Sequence, residues 1–406
     1  MKDAGRIEAI IEVLTEVLED KTPADLILDK YFRERRYIGA KDRRFIADSV
    51  WQIIRNRLKI TERLQGFASP RLFVALNFMS SDLDLLFNGE EYAPALLSKE
   101  EKKALEKAKD FCSFSKETKL ECPEWLYQKI ANTDLIEALN AQAPLDVRAN
   151  LTSRESAKAR LKKEGLFFAP TPLSPIGLRS TERINLNNCM TFQDGEIEVM
   201  DEGSQILALL CKVKPHHKIV DYCAGAGGKA LAFGALMQND GVIYAHDISQ
   251  ERLNRIKKRA ERLDILNIKI INDVKDKDYD RFIIDAPCSG TGTWRRSPDA
   301  KFRLTEQKLK EICKTQQEIL EFGASHTKSG GRLIYMTCSV LAEENENQVT
   351  AFLAAHPEFS PIDHKTLFKE TLDIPLYPFT TDKWLNLTPL NTKTDGFFFC
   401  ALRKNK

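Results

Sequence analysis

The sequence predicts an α/β protein in which a doubly wound, mostly parallel sheet follows a helical N-terminal region. Beyond residue 200, strand-length apolar runs alternate with helical patterns, which is typical of such a sheet. The first of these strands ends in a glycine-rich turn that opens a helix. At 406 residues the chain is long enough for two or three domains, and we place them at 1–138, 139–200 and 201–406.

Residues 1–138 have the pattern of amphipathic helices. In the first helix the apolar residues recur every three or four positions, as at Ile7, Ile10, Leu14 and Val17. Thr22 and Pro23 then suit the start of a second helix. Because this region has no cluster of residues that suggests catalysis, we expect an all-α binding module.

Residues 139–200 differ in texture from the helical region. An extended stretch at 144–150 and a helical pattern at 153–165 precede short, proline-interrupted strands that end near Met200. This pattern predicts a small α/β unit.

The third region alternates strand and helix to its end. We expect strands at 218–223, 241–246, 268–271, 280–285, 331–336 and 396–402. One expected helix follows the glycine-rich turn and ends at Leu236. Three more are expected at 249–263, 305–327 and 343–356. Ligands of such folds bind at the carboxyl ends of the parallel strands, which share one edge of the sheet.

The glycine-rich turn after the first strand is a candidate cofactor site. Its backbone N–H groups and the following helix N-terminus can meet a negative group; the turn comprises Cys223, Ala224, Gly225, Ala226, Gly227, Gly228 and Lys229. Asp247, at the end of the second strand, lies where an acidic residue can receive ribose hydroxyls. Asp273, after the third strand, is placed to meet an adenine amino group. The same pattern suits a nicotinamide or flavin cofactor, whereas Ala230 excludes a phosphate-binding P-loop.

Two cysteines follow neighbouring strands at the same predicted edge. Strand four ends in Asp285-Ala-Pro-Cys288, and strand five ends in Thr337-Cys338. A single cysteine there is more often a buried core residue. Two of them beside a cofactor turn favour reactive thiols.

Two cysteines and an aspartate beside a cofactor turn suit methylation of cytosine at C5. C5 is a poor nucleophile until a thiolate adds to C6. An acid near N3 must assist, for which Asp285 is the candidate, and C5 then attacks the methyl group of a sulfonium donor held in line. A second cysteine can assist the final loss of the C5 proton and release of the enzyme.

These motifs resemble those of the RsmB/Nop2/Sun family of RNA cytosine-C5 methyltransferases, and the resemblance covers nearly the whole chain. The glycine turn is similar to the family's Cys-Ala-Ala-Pro-Gly-Gly-Lys, with Gly225 and Ala226 replacing Ala and Pro. Asp285-Ala-Pro-Cys-Ser-Gly-Thr-Gly, with Arg296-x-Pro-Asp299 behind it, resembles the proline-cysteine motif. Thr337-Cys-Ser, followed by Glu343-Glu-Asn-Glu, resembles the nucleophile motif. At Met200, directly before the segment that leads into the catalytic domain, the family usually has glutamine.

The resemblance implies a class I (Rossmann-like) methyltransferase domain that uses S-adenosyl-L-methionine. It implies that Cys338 is the nucleophile and Cys288 the release cysteine. The cofactor would be lined by the glycine turn, Asp247, Asp273 and Asp285. Residues 1–138 would form a NusB-like RNA-binding domain and residues 139–200 an RRM-like unit. The implied substrate is 16S rRNA, while tRNA remains open.

Three other functions share part of this pattern. A DNA cytosine-C5 methyltransferase would use Cys288 as its nucleophile and leave Cys338 without a role. An oxidoreductase would explain the glycine turn but not the two cysteines. A non-catalytic RNA-binding or assembly protein would need neither cysteine beside a cofactor turn.

Basic residues form three clusters, at 33–44, 252–262 and 295–303, in a chain whose formal net charge is +2. RNA docking depends on the local field rather than on net charge. Each cluster is either a solvated helix face or part of a nucleic-acid surface, and the sequence leaves both open.

Composition bounds the remaining expectations. The chain is 43% hydrophobic and 30% charged, as in globular proteins, and it has neither an apolar leader nor a run long enough to span a membrane. We therefore expect a cytoplasmic monomer with no membrane association. Nine cysteines without a Cys-x-x-Cys pair, and scattered histidines, predict neither a disulfide framework nor a metal site.

Overall fold

The computed structural model describes residues 1–20, 22–111, 113–182, 184–372 and 384–405. The chain forms two compact units, Met1–Ala141 with Trp294–Thr305 and Gln142–Thr293 with Glu306–Lys406. The middle and C-terminal regions therefore belong largely to the same unit. The segment 294–305 belongs to the first unit, which the sequence pattern does not indicate.

The helices of the described chain are α1 (Asp3–Glu19), α2 (Ala24–Glu34), α3 (Ala40–Arg55), α4 (Arg57–Arg63), α5 (Pro70–Asn77), α6 (Leu83–Leu86), α7 (Lys99–Lys109), α8 (Lys116–Lys119), α9 (Glu124–Ile130), α10 (Thr133–Asn140), α11 (Arg154–Lys163), α12 (Met190–Gln193), α13 (Glu202–Leu210), α14 (Gly228–Leu236), α15 (Gln250–Leu263), α16 (Ala300–Arg303), α17 (Glu306–His326), α18 (Glu346–Ala355) and α19 (His364–Leu372). Short 3-10 helices lie at Leu186–Asn188, Thr291–Thr293 and Ala342–Glu344. No helix within the described ranges has both the length and the apolar character needed to cross a membrane.

The strands are β1 (Leu145–Ala149), β2 (Ala169–Pro170), β3 (Gly177–Ser180), β4 (Ile197–Val199), β5 (Lys218–Asp221), β6 (Val242–Ala245), β7 (Ile268–Ile270), β8 (Tyr279–Asp285), β9 (Thr327–Thr337), β10 (Phe359–Pro361), β11 (Leu385–Leu387) and β12 (Phe397–Lys404).

The first unit is helical where the sequence predicts helices. Ile7, Ile10, Leu14 and Val17 of α1 are buried in its core, so the spacing read from the sequence is the buried face. This apolar stripe removes enough surface from water to fix α1 against its neighbours α2, α3 and α5.

The segment 294–305 is anchored inside the first unit. Trp294 and Lys301 are both buried, and the Lys301 Nζ donates to Asn140 Oδ1 at 2.8 Å. Asp299 accepts from Arg303 Nε at 2.9 Å and from the backbone N–H of Ala24 at 3.2 Å. Burial lowers the pKa of Lys301 to about 8. Lys301, a member of the third basic cluster, is therefore an interior residue. It belongs neither to a solvated helix face nor to a nucleic-acid surface, the two interpretations that the sequence left open.

The second unit contains two sheets. A four-stranded antiparallel sheet has the order β2-β3-β1-β4, and it packs with α11 and α12 around a small core of its own. Residues 142–200 therefore form the expected small α/β unit.

The larger sheet has the order β10-β12-β9-β8-β5-β6-β7, with β11 also paired to β12. The five strands from β9 to β7 are mutually parallel, and β10, β11 and β12 are antiparallel additions at one side. The predicted doubly wound, mostly parallel sheet is confirmed. The sequence missed β10 and β11, which are three residues each and too short to show a period.

The parallel strands bring their carboxyl ends to one edge of this sheet. In spatial order β9, β8, β5 and β6 lead into Cys338, Cys288, the glycine turn and Asp247. The predicted site residues on these four strand ends are therefore neighbours in space although up to 115 positions separate them in sequence.

Candidate functional site

The glycine turn connects β5 to α14 in a conformation that requires glycine. Gly225 and Gly227 have φ angles of +55° and +84°, in the left-handed region. A Cβ at Gly227 would also lie 2.8 Å from Ile256 Cγ1, so this position allows no side chain. At Gly228, which starts α14, a Cβ would meet nothing within 4 Å. Open space thus lies in front of a helix N-terminus, where an anionic or polar ligand group is favoured.

The two alanines of the turn tie it to neighbouring elements. The backbone N–H of Ala224 donates to the carbonyl of His246 at 2.8 Å, and the carbonyl of Ala226 accepts from Arg259. Both contacts run to the loop and helix that follow β6. They fix the turn independently of any ligand.

Asp247 directs both of its carboxylate oxygens to backbone groups. Its Oδ2 accepts from the N–H of Gly225 at 2.7 Å, and its Oδ1 accepts from the N–H of Ser249 at 2.8 Å. Oδ2 also pairs with Arg252, at 3.6 Å, while Oδ1 keeps one of its two acceptor sites for a ligand hydroxyl. Ile248, the next residue, is fully exposed at 100%. Asp273 lies beyond β7 and is also exposed.

Lys229 and Asp285 form an ion pair within the site. The Lys229 Nζ donates to Asp285 Oδ2 at 2.7 Å. Burial would lower the pKa of Lys229, but the Asp285 carboxylate and its hydrogen bond raise it overall. Lys229 therefore stays charged, and a third of the Asp285 side chain remains accessible at the edge of the sheet.

Cys288 and Cys338 lie in direct contact, with their sulfur atoms 3.2 Å apart. Both are half-buried. The hydrogen bond to Cys338, followed by burial, raises the pKa of the Cys288 thiol well above its ordinary value. The Cys288 thiol therefore holds its proton more firmly than an ordinary thiol.

Behind the two cysteines lies a buried polar network that the sequence reasoning missed. The Glu344 carboxylate accepts hydrogen bonds from the residues directly after each cysteine, Ser289 and Ser339. Its Oε1 also accepts from Gln316 Nε2 at 3.2 Å. A signal was present in the repeated Cys-Ser pair, which gives each loop a hydroxyl in the same place.

Asp221, at the end of β5, was also missed. Burial, followed by the nearby Asp285 carboxylate, raises the pKa of Asp221 to about 7. Its Oδ1 is buried and has no hydrogen-bond partner among the described residues. An aspartate two positions before the glycine turn was the available signal.

Two residues of the second basic cluster, Arg259 and Arg262, are structural. Arg259 and Arg262 both pair with Glu198 on β4, and the Arg262 guanidinium lies 4.0 Å from the centre of the Phe192 ring. These two side chains join α15 to the small sheet. Their role is therefore neither that of a solvated helix face nor that of a nucleic-acid surface.

Across the described ranges, no group of three or more His, Cys, Asp or Glu side chains could hold a metal ion.

The chain matches a family model and curated proteins. The model described as 16S rRNA methyltransferase RsmB/F matches residues 208–403. The probable ribosomal RNA small subunit methyltransferase B of Bacillus subtilis strain 168 is 34% identical over 299 residues, which cover 70% of this chain and 66% of that protein. The match thus spans just under two thirds of the length of that relative.

Solved structures share the fold. The crystal structure of PH0851 covers 100% of this chain with a TM-score of 0.79 at 24% identity, a likeness that shows the fold alone. A methyltransferase homolog protein from Pyrococcus horikoshii covers 71% of the chain with a TM-score of 0.60 and 25% identity.

Proposed function

Because the chain belongs to the RsmB/Nop2/Sun-type methyltransferases, with an RsmB/F domain over residues 208–403, we propose that it methylates C5 of a cytosine in 16S rRNA. The observation that carries this proposal is the 3.2 Å contact between the sulfur atoms of Cys288 and Cys338 at the edge where the cofactor turn lies. Two sulfurs at one site suit the proposed RNA reaction, in which one activates the ring and the other assists release.

S-adenosyl-L-methionine is the cofactor of this domain, and it supplies an electrophilic methyl group on a sulfonium. The residues present fit it. Open space precedes the helix N-terminus at Gly228, Asp247 keeps an acceptor site for a hydroxyl, and Asp221 presents a buried oxygen without a partner among the described residues. We assign its binding to the turn from Cys223 to Lys229 with Asp247, Asp273 and Asp285.

In the first step, the Cys338 thiolate adds to C6 of the cytosine. The S–C6 bond forms, and the electron pair of the C5–C6 double bond moves towards C5 and the N3 side of the ring. Lys229 occupies Oδ2 of Asp285, which leaves Oδ1 for the ring. We assign proton donation at N3 to this carboxyl, which takes up one proton from solvent before the addition and takes the same proton back from N3 when the base is released. C5 is then the nucleophile that takes the methyl group.

In the release step, a base takes the C5 proton and the S–C6 bond breaks, which returns Cys338 as a thiolate. We assign this base to Cys288. Its pKa is raised first of all by the hydrogen bond to Cys338, and that cause disappears once Cys338 is bound to C6 as a neutral thioether. Cys288 can then yield its proton to solvent and accept the one on C5, so one proton leaves per turnover.

We assign RNA docking to residues 1–138 of the first unit, as a NusB-like domain. Residues 139–200, which lie almost entirely in the second unit, are assigned as an RRM-like unit. In the first basic cluster, Arg33, Arg36, Lys41 and Arg44 are exposed. Arg35 instead packs on the Tyr31 ring, 3.9 Å from its centre, and pairs with Glu12 at 3.4 Å. These exposed side chains supply positive charge that can meet a phosphate backbone.

Transfer to a tRNA cytosine is the second candidate, since the site geometry does not distinguish the two RNAs. A DNA methyltransferase would need Cys288 as the nucleophile, whereas the protonated state favoured for Cys288 suits release.

Bisulfite sequencing of total RNA from cells with and without the gene tests the proposal. We expect loss of one or a few 5-methylcytosines in 16S rRNA, restored by the wild-type gene but not by Cys338→Ala. A loss confined to tRNA would change the substrate, and an unchanged map in every RNA would contradict the proposal.

A further inference from the structure

The two loops that carry the cysteines are joined through one buried carboxyl group. Glu344 ends the 3-10 helix Ala342–Glu344 and is completely buried. Its Oε1 accepts the backbone N–H of Ser289 at 2.7 Å, while the hydroxyls of Ser289 and Ser339 both donate to Oε2. One side chain therefore contacts the residue after Cys288 and the residue after Cys338.

The rest of the network closes around the same point. Gln316 of α17 donates to Glu344 Oε1 and also to the carbonyl of Pro287, at 2.9 Å, directly before Cys288. Asn345 accepts from Thr337 Oγ1 at 2.6 Å and donates to the carbonyl of Ser339 at 2.9 Å, so it spans Cys338. Each cysteine is thus bracketed on both sides by hydrogen bonds from α17 or from residues 344–345.

A buried carboxylate is a poor device for stability alone. Its desolvation cost is repaid only when its acceptor sites are filled, and an apolar side chain of similar volume is often equally stabilising. Such a group is better suited to fixing one arrangement of the chain against others. Here the arrangement it fixes is the spacing of the two sulfur atoms.

We infer that Glu344 is a positioning residue, which joins the Cys288 loop to the Cys338 loop and keeps the two sulfur atoms in working contact. The inference rests on the proposed function, since it concerns how that reaction is supported. Glu344 is completely buried. It acts through Ser289 and Ser339.

The carboxyl group also acts on Cys288 through its charge. After the hydrogen bond to Cys338 and burial, the Glu344 charge adds to the effects that raise the pKa of the Cys288 thiol. Its removal should lower that pKa and let the release step proceed at lower pH. A role limited to packing would not move this pH dependence.

The test uses the full chain with a 16S rRNA transcript and methyl-labelled S-adenosylmethionine, and it follows formation and decay of the protein–RNA adduct across pH. Glu344→Ala breaks the bridge, and we expect adduct formation to slow about 100-fold, as for a misplaced reacting group. Glu344→Gln keeps a side chain that can link both loops but removes the charge. We expect the midpoint of adduct decay to move to lower pH by about half a unit. Glu318→Gln, at an exposed position of α17, is the matched control.

If the wild type transfers no labelled methyl group to the transcript, the proposed function fails. If the wild type forms the adduct and both Glu344 variants behave like Glu318→Gln, the inference alone is overturned. A slower Glu344→Gln with an unmoved pH profile also overturns it, because that result describes a structural residue. Should Glu344→Ala fail to fold, Ser289→Ala, which removes one arm of the bridge, is expected to slow adduct formation about tenfold.

Discussion

The Lys229 ammonium and the Asp285 carboxylate form an ion pair 2.7 Å long between the first turn of α14 and the end of β8. This pair joins the cofactor turn to the strand that leads into Cys288. It also places one positive charge among the acidic groups Asp221, Asp247 and Asp285. The charge of each of these groups shifts the pKa of neighbouring side chains.

Lys229→Ala should therefore lower both stability and cofactor affinity. The substitution leaves Asp285 and the buried Asp221 without their counter-charge, and we expect the free energy of unfolding to fall by about 2 kcal/mol. Urea unfolding and calorimetric titration with S-adenosylmethionine measure the two effects. Lys258→Ala, at an exposed position of α15, should change stability by no more than about 0.5 kcal/mol. Equal effects of the two variants would show that the pair contributes nothing.

Asp221 should make the protein less stable as pH rises. Its pKa is raised to about 7 in the folded chain, so between the ordinary carboxyl range and pH 7 the folded state binds more protons than the unfolded state. Stability gained from this group at low pH is thus lost as pH rises through about 7. We expect Asp221→Asn to gain stability relative to the wild type at pH 8 but not at pH 4. Thermal unfolding at both pH values measures this, with Asp134→Asn, exposed on α10, as the control. A difference that does not depend on pH would contradict the prediction.

Gly227→Ala should weaken cofactor binding beyond its effect on stability. The new methyl group meets Ile256 at 2.8 Å in a backbone that already has φ of +84°, at a cost of about 1–3 kcal/mol. Gly330→Ala is the matched control, because its φ is +75° and its Cβ would meet nothing within 4 Å. Both variants should lose stability, but only Gly227→Ala should lose affinity for S-adenosylmethionine in a titration. Equal affinities would separate the turn from the cofactor.

Replacing Arg33, Arg36, Lys41 and Arg44 with glutamine should weaken RNA binding and flatten its salt dependence. For single-stranded RNA each lost phosphate contact lowers the slope of log affinity against log salt by about 0.7. Filter binding at several salt concentrations measures the slope. A matched variant with Lys99, Lys103 and Lys107 of α7 changed to glutamine removes a similar charge elsewhere. If the two variants give the same slope, the basic cluster is a solvated helix face.

Much of the fold followed from the sequence because its patterns are long and regular. The buried stripe of α1 and the predicted strands and helices between Lys218 and His356 correspond to elements of the structure. The glycine turn and the two cysteine loops could be placed at one edge because parallel strands share their direction. Short elements such as β10 and β11 lack the length in which a period can appear.

What the sequence could not predict depends on contacts between distant residues. The role of Arg259 and Arg262 is set by Glu198, about 60 positions earlier. The burial of Lys301 is set by Asn140 and its neighbours in the first unit. Glu344 stood within a recognised motif, but its bridge between Ser289 and Ser339 appears only when both loops are folded.

The central claim, that Cys338 attacks the base and Cys288 releases it, is tested most directly by trapping the protein–RNA adduct on a denaturing gel. Each variant is incubated with a 16S rRNA transcript and S-adenosylmethionine. The account predicts that Cys288→Ala accumulates a stable adduct, because methyl transfer proceeds and release does not, and that Cys338→Ala forms none. An adduct that accumulates with Cys338→Ala and is absent with Cys288→Ala would reverse the two roles and contradict the account.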